Sequence, residues 1–202
     1  MNLYGIVVAA GRGERFGSPK ADLVVQGLAL WQWAAAALEG SGSAGVIVVG
    51  AVPGGVPGGA RRRDSVAAGL AALPADATHV LIHDAARPLA TAALAGAVVA
   101  RLAVGDVDGV VPALPVGDTI KRVEGERVIE TVLRTGLVAV QTPQGFRLEV
   151  LRAAHAADTD DATDDAQMVE RHGGSVVYVP GETTNLKITY PEDLAVAEAL
   201  AP

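Results

Sequence analysis

The stretch LYGIVVAAGRGERFGSPK, residues 3–20, joins an apolar run to a glycine-rich, cationic loop. The run at 3–9 is rich in β-branched residues, which predicts a strand buried on both faces. The glycines of the loop are Gly11, Gly13 and Gly17, and its cations are Arg12, Arg15 and Lys20. Ligands of an open parallel sheet bind beyond the carboxyl ends of its strands. The stretch therefore predicts an anion site at such an edge, because backbone N–H groups of a glycine loop can approach a phosphate closely.

The rest of the chain alternates short apolar runs with longer Ala/Leu-rich segments. Strands are predicted at 3–9, 45–49, 79–83, 109–113 and 175–179, and helices at 29–38, 64–72, 91–101, 147–157, 163–172 and 191–200. This alternation predicts an α/β fold, a Rossmann-like three-layer sandwich with a mostly parallel sheet. We expect one domain over residues 1–202.

The segment 115–141 departs from the alternation. It contains KRV, EGE and RVIETV, which predict two strands around a short turn with a glycine. The segment is charged, and we interpret it as a protruding β-hairpin arm at about 115–141.

Composition excludes several classes of protein. The 202 residues are 50% hydrophobic, carry a net charge of -7 and include no cysteine. An acidic chain is not expected to bind nucleic acid broadly, and no disulfide, thiolate metal site or cysteine nucleophile is available. No apolar stretch is long enough to span a membrane, and no basic region precedes the first apolar run, so we expect a cytoplasmic enzyme or binding protein.

Common phosphate-binding motifs do not fit the first loop. Phe16 stands where the third glycine of G-x-G-x-x-G belongs, which disfavours a dinucleotide oxidoreductase. Ser18 and Pro19 separate Gly17 from Lys20, so the loop is not a P-loop either.

Five stretches together resemble one family. They are AAGRGERFGSPK at 9–20, GGARRRDSVAAGL at 58–70, HDAARP at 83–88, DTIKRV at 118–123 and NLKITYPEDLAVAE at 185–198. The first resembles the signature of sugar-nucleotide transferases, and the set resembles the 2-C-methyl-D-erythritol 4-phosphate cytidylyltransferases over almost the whole chain. The resemblance implies that CTP and 2-C-methyl-D-erythritol 4-phosphate are converted to 4-diphosphocytidyl-2-C-methyl-D-erythritol and pyrophosphate. It also implies Mg²⁺ or another divalent cation as cofactor, and a homodimer.

The resemblance implies roles for individual residues. The catalytic cations are Arg15, Lys20 and Lys187. The CTP site comprises Ala9, Ala10, Gly11, Gly13, Gly59, Ala60, Arg62, Ser65 and Ala85. The polyol phosphate is contacted by Asp84, Arg87, Thr119 and Arg134, with Asp84 also on the metal and the arm reaching over a partner subunit. Thr184 departs from some family members, which carry an acidic residue just before the asparagine that corresponds to Asn185.

Simpler interpretations stay open for several of these residues. Asp84 could form a helix cap or an ion pair with Arg87, Lys187 could be solvated, and the arm could be a solvated flap. Asp64 or Ser65 could cap the helix that follows. In the RRR run only Arg62 aligns with the family's motif arginine, so its neighbours could be solvated.

The acidic run DTDDATDDAQ could be mistaken for a metal site. It lacks the glycine and the closing glutamate of a calcium-binding loop. Asp164 and Asp165 are better explained as the cap and acidic first turn of a helix. The histidines lack metal-ligand spacing, and His83 is expected to pack or to form a hydrogen bond.

Two other functions remain open. A ribitol 5-phosphate cytidylyltransferase would differ only in its acceptor pocket. A catalytically silent nucleotide-binding module is disfavoured because Arg15, Lys20, Asp84 and Lys187 occur together.

Overall fold

A computed structural model describes residues 1–11, 13, 16, 23–157, 160 and 162–202 of the chain. The strands are β1 Leu3–Val8, β2 Val24–Val25, β3 Leu28–Ala29, β4 Val46–Val49, β5 His79–Asp84, β6 Gly109–Pro115, β7 Ile120–Glu124, β8 Arg127–Val132, β9 Val138–Val140, β10 Gln144–Arg147 and β11 Val176–Pro180. The helices are α1 Leu30–Glu39, α2 Arg62–Ala72, α3 Ala92–Leu102, α4 Leu148–Ala157, α5 Asp165–Arg171 and α6 Pro191–Leu200. Each predicted strand and helix is present, with bounds shifted by at most two residues.

Within the described residues, seven strands form one sheet in the order β11-β6-β10-β5-β1-β4, and β9 pairs with the end of β6. β1 is parallel to both β4 and β5, and β11 is parallel to β6. β10 is antiparallel to both of its neighbours. The predicted α/β class with a mostly parallel sheet is confirmed.

Helices cover both faces of this sheet because the strands are apolar on both faces. Ile6 and Val7 of β1 are each fully buried, but in different cores. Ile6 packs in the core that includes residues of α2, α4 and α5, and Val7 packs in the core that includes residues of α1 and α3. This alternation along one strand gives the three layers their positions.

β10 was not predicted from the sequence. Its sequence, QGFR, is short and lacks a β-branched residue. A side chain at Gly145 would place Cβ 2.8 Å from Val98 of α3, so glycine allows the helix to pack closely over this strand. The strand therefore depends on a tertiary contact that no local pattern reveals.

The predicted hairpin arm is also present. β7 and β8 pair with each other in a separate two-stranded sheet, and Gly125 in the turn between them has φ +57°. β9 returns along the last residues of β6 and forms the base of the arm. Apolar side chains of the hairpin are exposed, including Val123, Val128 and Leu133.

α6 and the small β2–β3 hairpin form a third cluster beside the sheet. Val25, Leu30 and Ile188 are buried there, and Phe16 of the first loop packs against them. This cluster supports the edge at which the first loop leaves β1. None of the helices in the described part of the chain is long and apolar enough to cross a membrane.

Candidate active site

The site lies where β1 and β5 end side by side. Val8 pairs with Asp84, and the Ala85 N–H donates to the Val8 carbonyl at 3.0 Å. The predicted residues Ala9, Ala10, Asp84 and Ala85 therefore share one edge of the sheet. Gly11 and Gly13 follow, and Gly13 has φ +65°, a conformation that glycine adopts without strain. Arg12, Arg15, Gly17 and Lys20 lie outside the described residues.

The second predicted nucleotide loop contacts the first. A Cβ on Gly58 would lie 2.3 Å from Cβ of Ala10, so only glycine permits this approach. The Gly59 N–H donates to Ser65 Oγ at 3.1 Å, and Ser65 is buried. The structure thus brings Gly59 and Ser65 together beside Ala10, with Ala60 exposed on the same loop. The Ser65 hydroxyl holds the shape of the loop.

Of the two residues that could cap α2, Asp64 and Ser65, it is Asp64 that does so. Its carboxylate accepts the Arg61 N–H at 3.1 Å and also pairs with the Arg61 guanidinium. Ser65 lies one residue deeper in the helix and is not the cap.

Arg63 is not solvated, contrary to one expectation, because its guanidinium donates to the carbonyls of His155 and Asp160 and only 11% of its side chain is exposed. The bond to His155 satisfies a carbonyl group in the last turn of α4.

Asp84 lies between two cations. Its Oδ1 accepts from Arg62 Nε at 3.0 Å, and its Oδ2 accepts from Lys187 Nζ at 2.7 Å. Burial raises the pKa of the Asp84 carboxyl, but Arg62 and Lys187 lower it further, so its pKa lies well below the usual range. Asp84 is therefore ionised at neutral pH and offers charged oxygens at the end of β5.

The alternative ion pair of Asp84 with Arg87 is wrong. The Arg87 guanidinium donates to the carbonyl of Asn185 at 2.8 Å and to that of Val140 at 3.4 Å. Burial lowers the pKa of Arg87, and the nearby Asp84 charge offsets part of that effect. Lys187 is likewise not simply solvated, although 40% of its side chain is exposed.

Asp165 is a site residue that the sequence analysis missed. Asp164 is the predicted cap of α5, since its Oδ1 accepts the Gln167 N–H at 2.9 Å. Asp165 was expected to add only acidic charge to the first turn, but it is fully buried and binds Arg62 Nη1 at 2.7 Å. The spacing of Arg62 and Asp165 in the sequence, 103 residues, gave no signal of this contact.

A polar cavity of about 200 Å³ opens beside these residues. It is lined by Arg62, Asp84, Arg87, Val140, Gln141, Thr142, Gln144, Thr163, Asp164 and Lys187. Hydroxyl and amide groups predominate among the uncharged lining residues, which suits a ligand with several hydroxyl groups.

His83 is a buried hydrogen-bonding residue, as expected. Its Nδ1 lies 2.7 Å from Oγ1 of Thr142, and the same Oγ1 accepts the Asp84 N–H at 3.1 Å. Burial lowers the pKa of the His83 imidazole to about 4. A neutral histidine thus fixes a threonine that lines the cavity.

The segment that carries Lys187 is held by a buried glutamine. Gln141 donates from Nε2 to the Glu182 carbonyl at 2.8 Å, and its Oε1 accepts the Glu182 N–H at 3.1 Å. Asn185 is buried and donates to the Thr142 carbonyl at 2.9 Å. These bonds fix the approach of Lys187 to Asp84.

Comparison with known proteins identifies a family that matches almost the whole chain. The sequence profile of the family "IspD: 2-C-methyl-D-erythritol 4-phosphate cytidylyltransferase" matches residues 3–201. The chain belongs to this family. The predicted family and its enzyme class, a cytidylyltransferase, are thereby confirmed.

Individual members of the family are similar to the chain over most of its length. It is 45% identical to the 2-C-methyl-D-erythritol 4-phosphate cytidylyltransferase of Saccharopolyspora erythraea, covering 99% of both chains. It is 46% identical to the bifunctional enzyme IspD/IspF of Solidesulfovibrio magneticus, covering 100% of this chain but only 58% of that protein's length. The crystal structure of the Thermus thermophilus cytidylyltransferase superposes with a TM-score of 0.81 at 41% identity, covering 100% and 99% of the two chains.

Two arm residues that were expected to contact the acceptor do not line the cavity of the cytidylyltransferase chain. Thr119 and Arg134 are both absent from its lining, and Arg134 donates instead to the carbonyl of Gly117 at the base of the arm. The structure of one chain therefore does not unite them with Asp84 and Lys187.

A metal cage is not present among the described residues of this cytidylyltransferase. They contain no group of three or more His, Asp or Glu side chains arranged to hold a cation. Asp84 offers an ionised carboxylate at the sheet edge, Asp164 lines the same cavity, and Thr184 is not acidic. This donor set fits Mg²⁺ that takes most of its ligands from substrate phosphates and water, which is the usual way proteins bind Mg²⁺ with nucleotides.

Proposed function

We propose that this chain transfers the cytidylyl group of CTP to 2-C-methyl-D-erythritol 4-phosphate, giving 4-diphosphocytidyl-2-C-methyl-D-erythritol and pyrophosphate. The observation that carries the proposal is the position of Asp84. It joins Arg62 and Lys187 at the junction of the two glycine loops and the polar cavity.

The reaction needs charge neutralisation and alignment rather than a base. An oxygen of the acceptor phosphate attacks the α-phosphorus of CTP, and the bond from that phosphorus to pyrophosphate breaks. The nucleophile is already an anion, so no proton has to be removed from it. His83 is also unsuited to act as a base, because it is fully buried, is not in the cavity lining, and has a pKa lowered by burial to about 4, which makes its imidazole a weak proton acceptor.

Cations of this chain would stabilise the charge on the attacked phosphorus and on the leaving pyrophosphate. The Lys187 side chain is partly exposed at the sheet edge, and its Nζ donates to Asp84, so the ammonium group can reach a phosphate oxygen with a small movement. Arg15 and Lys20, outside the described residues, are proposed to clamp the triphosphate.

The cavity is proposed to hold the polyol part of the acceptor. Thr142 and Thr163 offer hydroxyl groups, and Gln141 and Gln144 offer amides. Each hydroxyl of a polyol can both donate and accept hydrogen bonds, so such a lining matches it better than an apolar one would. Arg87 contributes positive charge on the same wall.

We further propose Mg²⁺, or another divalent cation, as the cofactor. Asp84 would hold it together with phosphate oxygens of CTP. When bound, the ion neutralises negative charge on the triphosphate.

A homodimer is proposed to complete the site. Among its charged residues the hairpin exposes Val123, Val128 and Leu133, and these apolar side chains would gain stability if a second copy covered them. In a two-fold dimer each arm would bring Thr119 and Arg134 to the acceptor phosphate at the other subunit.

We also propose a cytoplasmic location, since phosphorylated substrates do not cross a membrane unaided.

The proposal is tested by measuring pyrophosphate release. CTP, ATP and GTP are each supplied with 2-C-methyl-D-erythritol 4-phosphate or with ribitol 5-phosphate, with and without Mg²⁺. We expect turnover with CTP, Mg²⁺ and the methylerythritol phosphate. Turnover only with ribitol 5-phosphate would identify the alternative acceptor, and binding of CTP without any turnover would indicate a silent nucleotide-binding module.

A further inference from the structure

Arg62 is held from two opposite sides by carboxylates. Its Nε donates to Asp84 at 3.0 Å, and its Nη1 donates to Asp165 at 2.7 Å. Its Nη2 is buried and has no hydrogen-bond partner among the residues that the structure describes. Because a guanidinium is rigid and planar, these two carboxylates fix the orientation of its plane.

Asp165 is itself fixed in place. Its second carboxylate oxygen lies 2.9 Å from Nε2 of His155, and the side chains of Asp165 and His155 are 1% and 6% exposed. Burial raises the pKa of Asp165, but Arg62 and the hydrogen bond from His155 lower it further. The ionised Asp165 thus links α5 and α4 to Arg62 on α2.

These contacts form a chain of partners that ends at the reacting groups. His155 contacts Asp165, Asp165 contacts Arg62, Arg62 contacts Asp84, and Asp84 contacts Lys187. Arg62, Asp84 and Lys187 line the cavity at the edge where the phosphates are proposed to bind, whereas His155 and Asp165 do not. Asp165 is too deeply buried to touch a substrate there.

We propose that Asp165 is a positioning residue, which orients Arg62 and through it the carboxylate of Asp84 for the transfer reaction. The proposal rests on the proposed function. Among the described residues, Asp84 is the other carboxylate on Arg62, so without Asp165 the guanidinium can turn about its contact with Asp84. Misplacement of reacting groups by about 1 Å can lower a rate by about 100-fold.

The competing interpretation is that Asp165 only joins α2, α4 and α5. That interpretation predicts a loss of stability without a specific effect on turnover. A matched control exists in Asp108, which pairs with Arg147 at 3.4 Å and accepts the Ser175 N–H at 2.9 Å. Asp108 precedes β6, and Arg147 pairs with the first residue of β5, so this pair lies at the opposite edge of the sheet from Asp84.

The experiment compares Asp165→Asn, Arg62→Gln, the double variant and Asp108→Asn. Pyrophosphate release gives kcat and both KM values, and thermal melting gives Tm. We expect Asp165→Asn to lower kcat by about 10- to 100-fold, the range typical for partners that orient a ligating group, with KM values changed by less than about threefold. Asp108→Asn should keep kcat within about twofold even where it lowers Tm.

The double variant decides whether Asp165 acts through Arg62. If it does, adding Asp165→Asn to Arg62→Gln should lower kcat by no more than about a further twofold, because contacting residues that work as a unit are not additive. Asp165→Glu should recover part of the lost kcat.

Several results would overturn the proposal. They are a wild-type kcat in Asp165→Asn, a loss no larger than that in Asp108→Asn, or a further tenfold loss in the double variant. The double variant removes both charges of the buried pair, so its comparison with Arg62→Gln remains available if Asp165→Asn alone does not fold. An inactive wild-type protein would instead contradict the proposed function.

Discussion

Lys187 Nζ donates to Asp84 Oδ2 at 2.7 Å, although the two residues are 103 positions apart in the chain. Their backbones also meet, since the Ile188 N–H donates to the carbonyl of Ala86 at 2.8 Å. The segment after β11 thus lies directly against the turn after β5. This contact places a cation and an anion together at the edge of the sheet that the two glycine loops follow.

Removal of this cation should affect turnover far more than folding. We expect Lys187→Ala to lower kcat by about 10²–10³, the effect typical of one preorganised charge donor. Because 40% of the lysine side chain is exposed, its ion pair should contribute less than about 1 kcal/mol to stability. Pyrophosphate release and thermal melting measure the two effects. Arg101→Ala, which breaks an exposed pair with Asp106, is the control, and near-normal turnover in Lys187→Ala would contradict the assignment.

The close approach of the two loops proposed to bind CTP predicts that substitution of Gly58 impairs CTP binding. In Gly58→Ala the new Cβ would lie 2.3 Å from that of Ala10, so the loops must separate. Overpacking of this kind typically costs about 1–3 kcal/mol, and we expect KM for CTP to rise about tenfold. Steady-state kinetics with varied CTP measure this change.

Gly96 in α3 supplies the matched control for that substitution. Nothing lies within 4 Å of a Cβ added there, so Gly96→Ala should leave KM unchanged and stabilise the helix by about 0.5–1 kcal/mol. Equal KM values for CTP in the two alanine variants would show that the contact with Ala10 has no part in nucleotide binding.

The lowered pKa of His83 predicts that the protein loses stability in mild acid. Its pKa is lowered by burial from 6.5 to about 4, so above pH 6.5 the imidazole is neutral in both folded and unfolded chains. As the pH falls from 6.5 to about 4, the unfolded chain gains a proton that the folded chain does not. The free energy of unfolding should therefore decrease by about 3 kcal/mol over this window.

The comparison with His83→Asn isolates this effect. The variant should be less stable at pH 8, because it alters the contact with Thr142, but its stability should change less between pH 6.5 and 4. Urea unfolding at a series of pH values measures both slopes. The prediction is wrong if the two proteins lose stability in parallel.

Subunit mixing tests whether the arm acts on a partner. Arg134→Ala and Lys187→Ala homodimers should each be nearly inactive. After unfolding and random reassociation about half of the dimers are mixed, and each mixed dimer has one site without either substitution. Activity should return to roughly a quarter of the wild-type value. If mixed dimers form and remain inactive, Arg134 acts within its own chain or has no part in the reaction.

Much of the fold was predictable because its signals are local. The apolar run of β1, the alternation in β7 and β8, and Pro191 at the start of α6 each determine an element through contacts between near neighbours in sequence. The glycine loop and the HDAARP stretch, through their resemblance to a family, also predicted a site at the ends of β1 and β5. Their meeting at one edge follows from the parallel pairing of β1 with β5.

The remaining features depend on residues that are distant in sequence. Gly145 gives β10 its place by allowing α3 to pack closely, and Asp165 enters the site only because α5 lies beside the start of α2. The sequence by itself determined the elements, the arm and the family, since each depends on short-range pattern or motif. Only the tertiary structure decided which carboxylate pairs with which cation. The energy of an ion pair depends on the distance between the charges and on their burial, and spacing along the chain reveals neither.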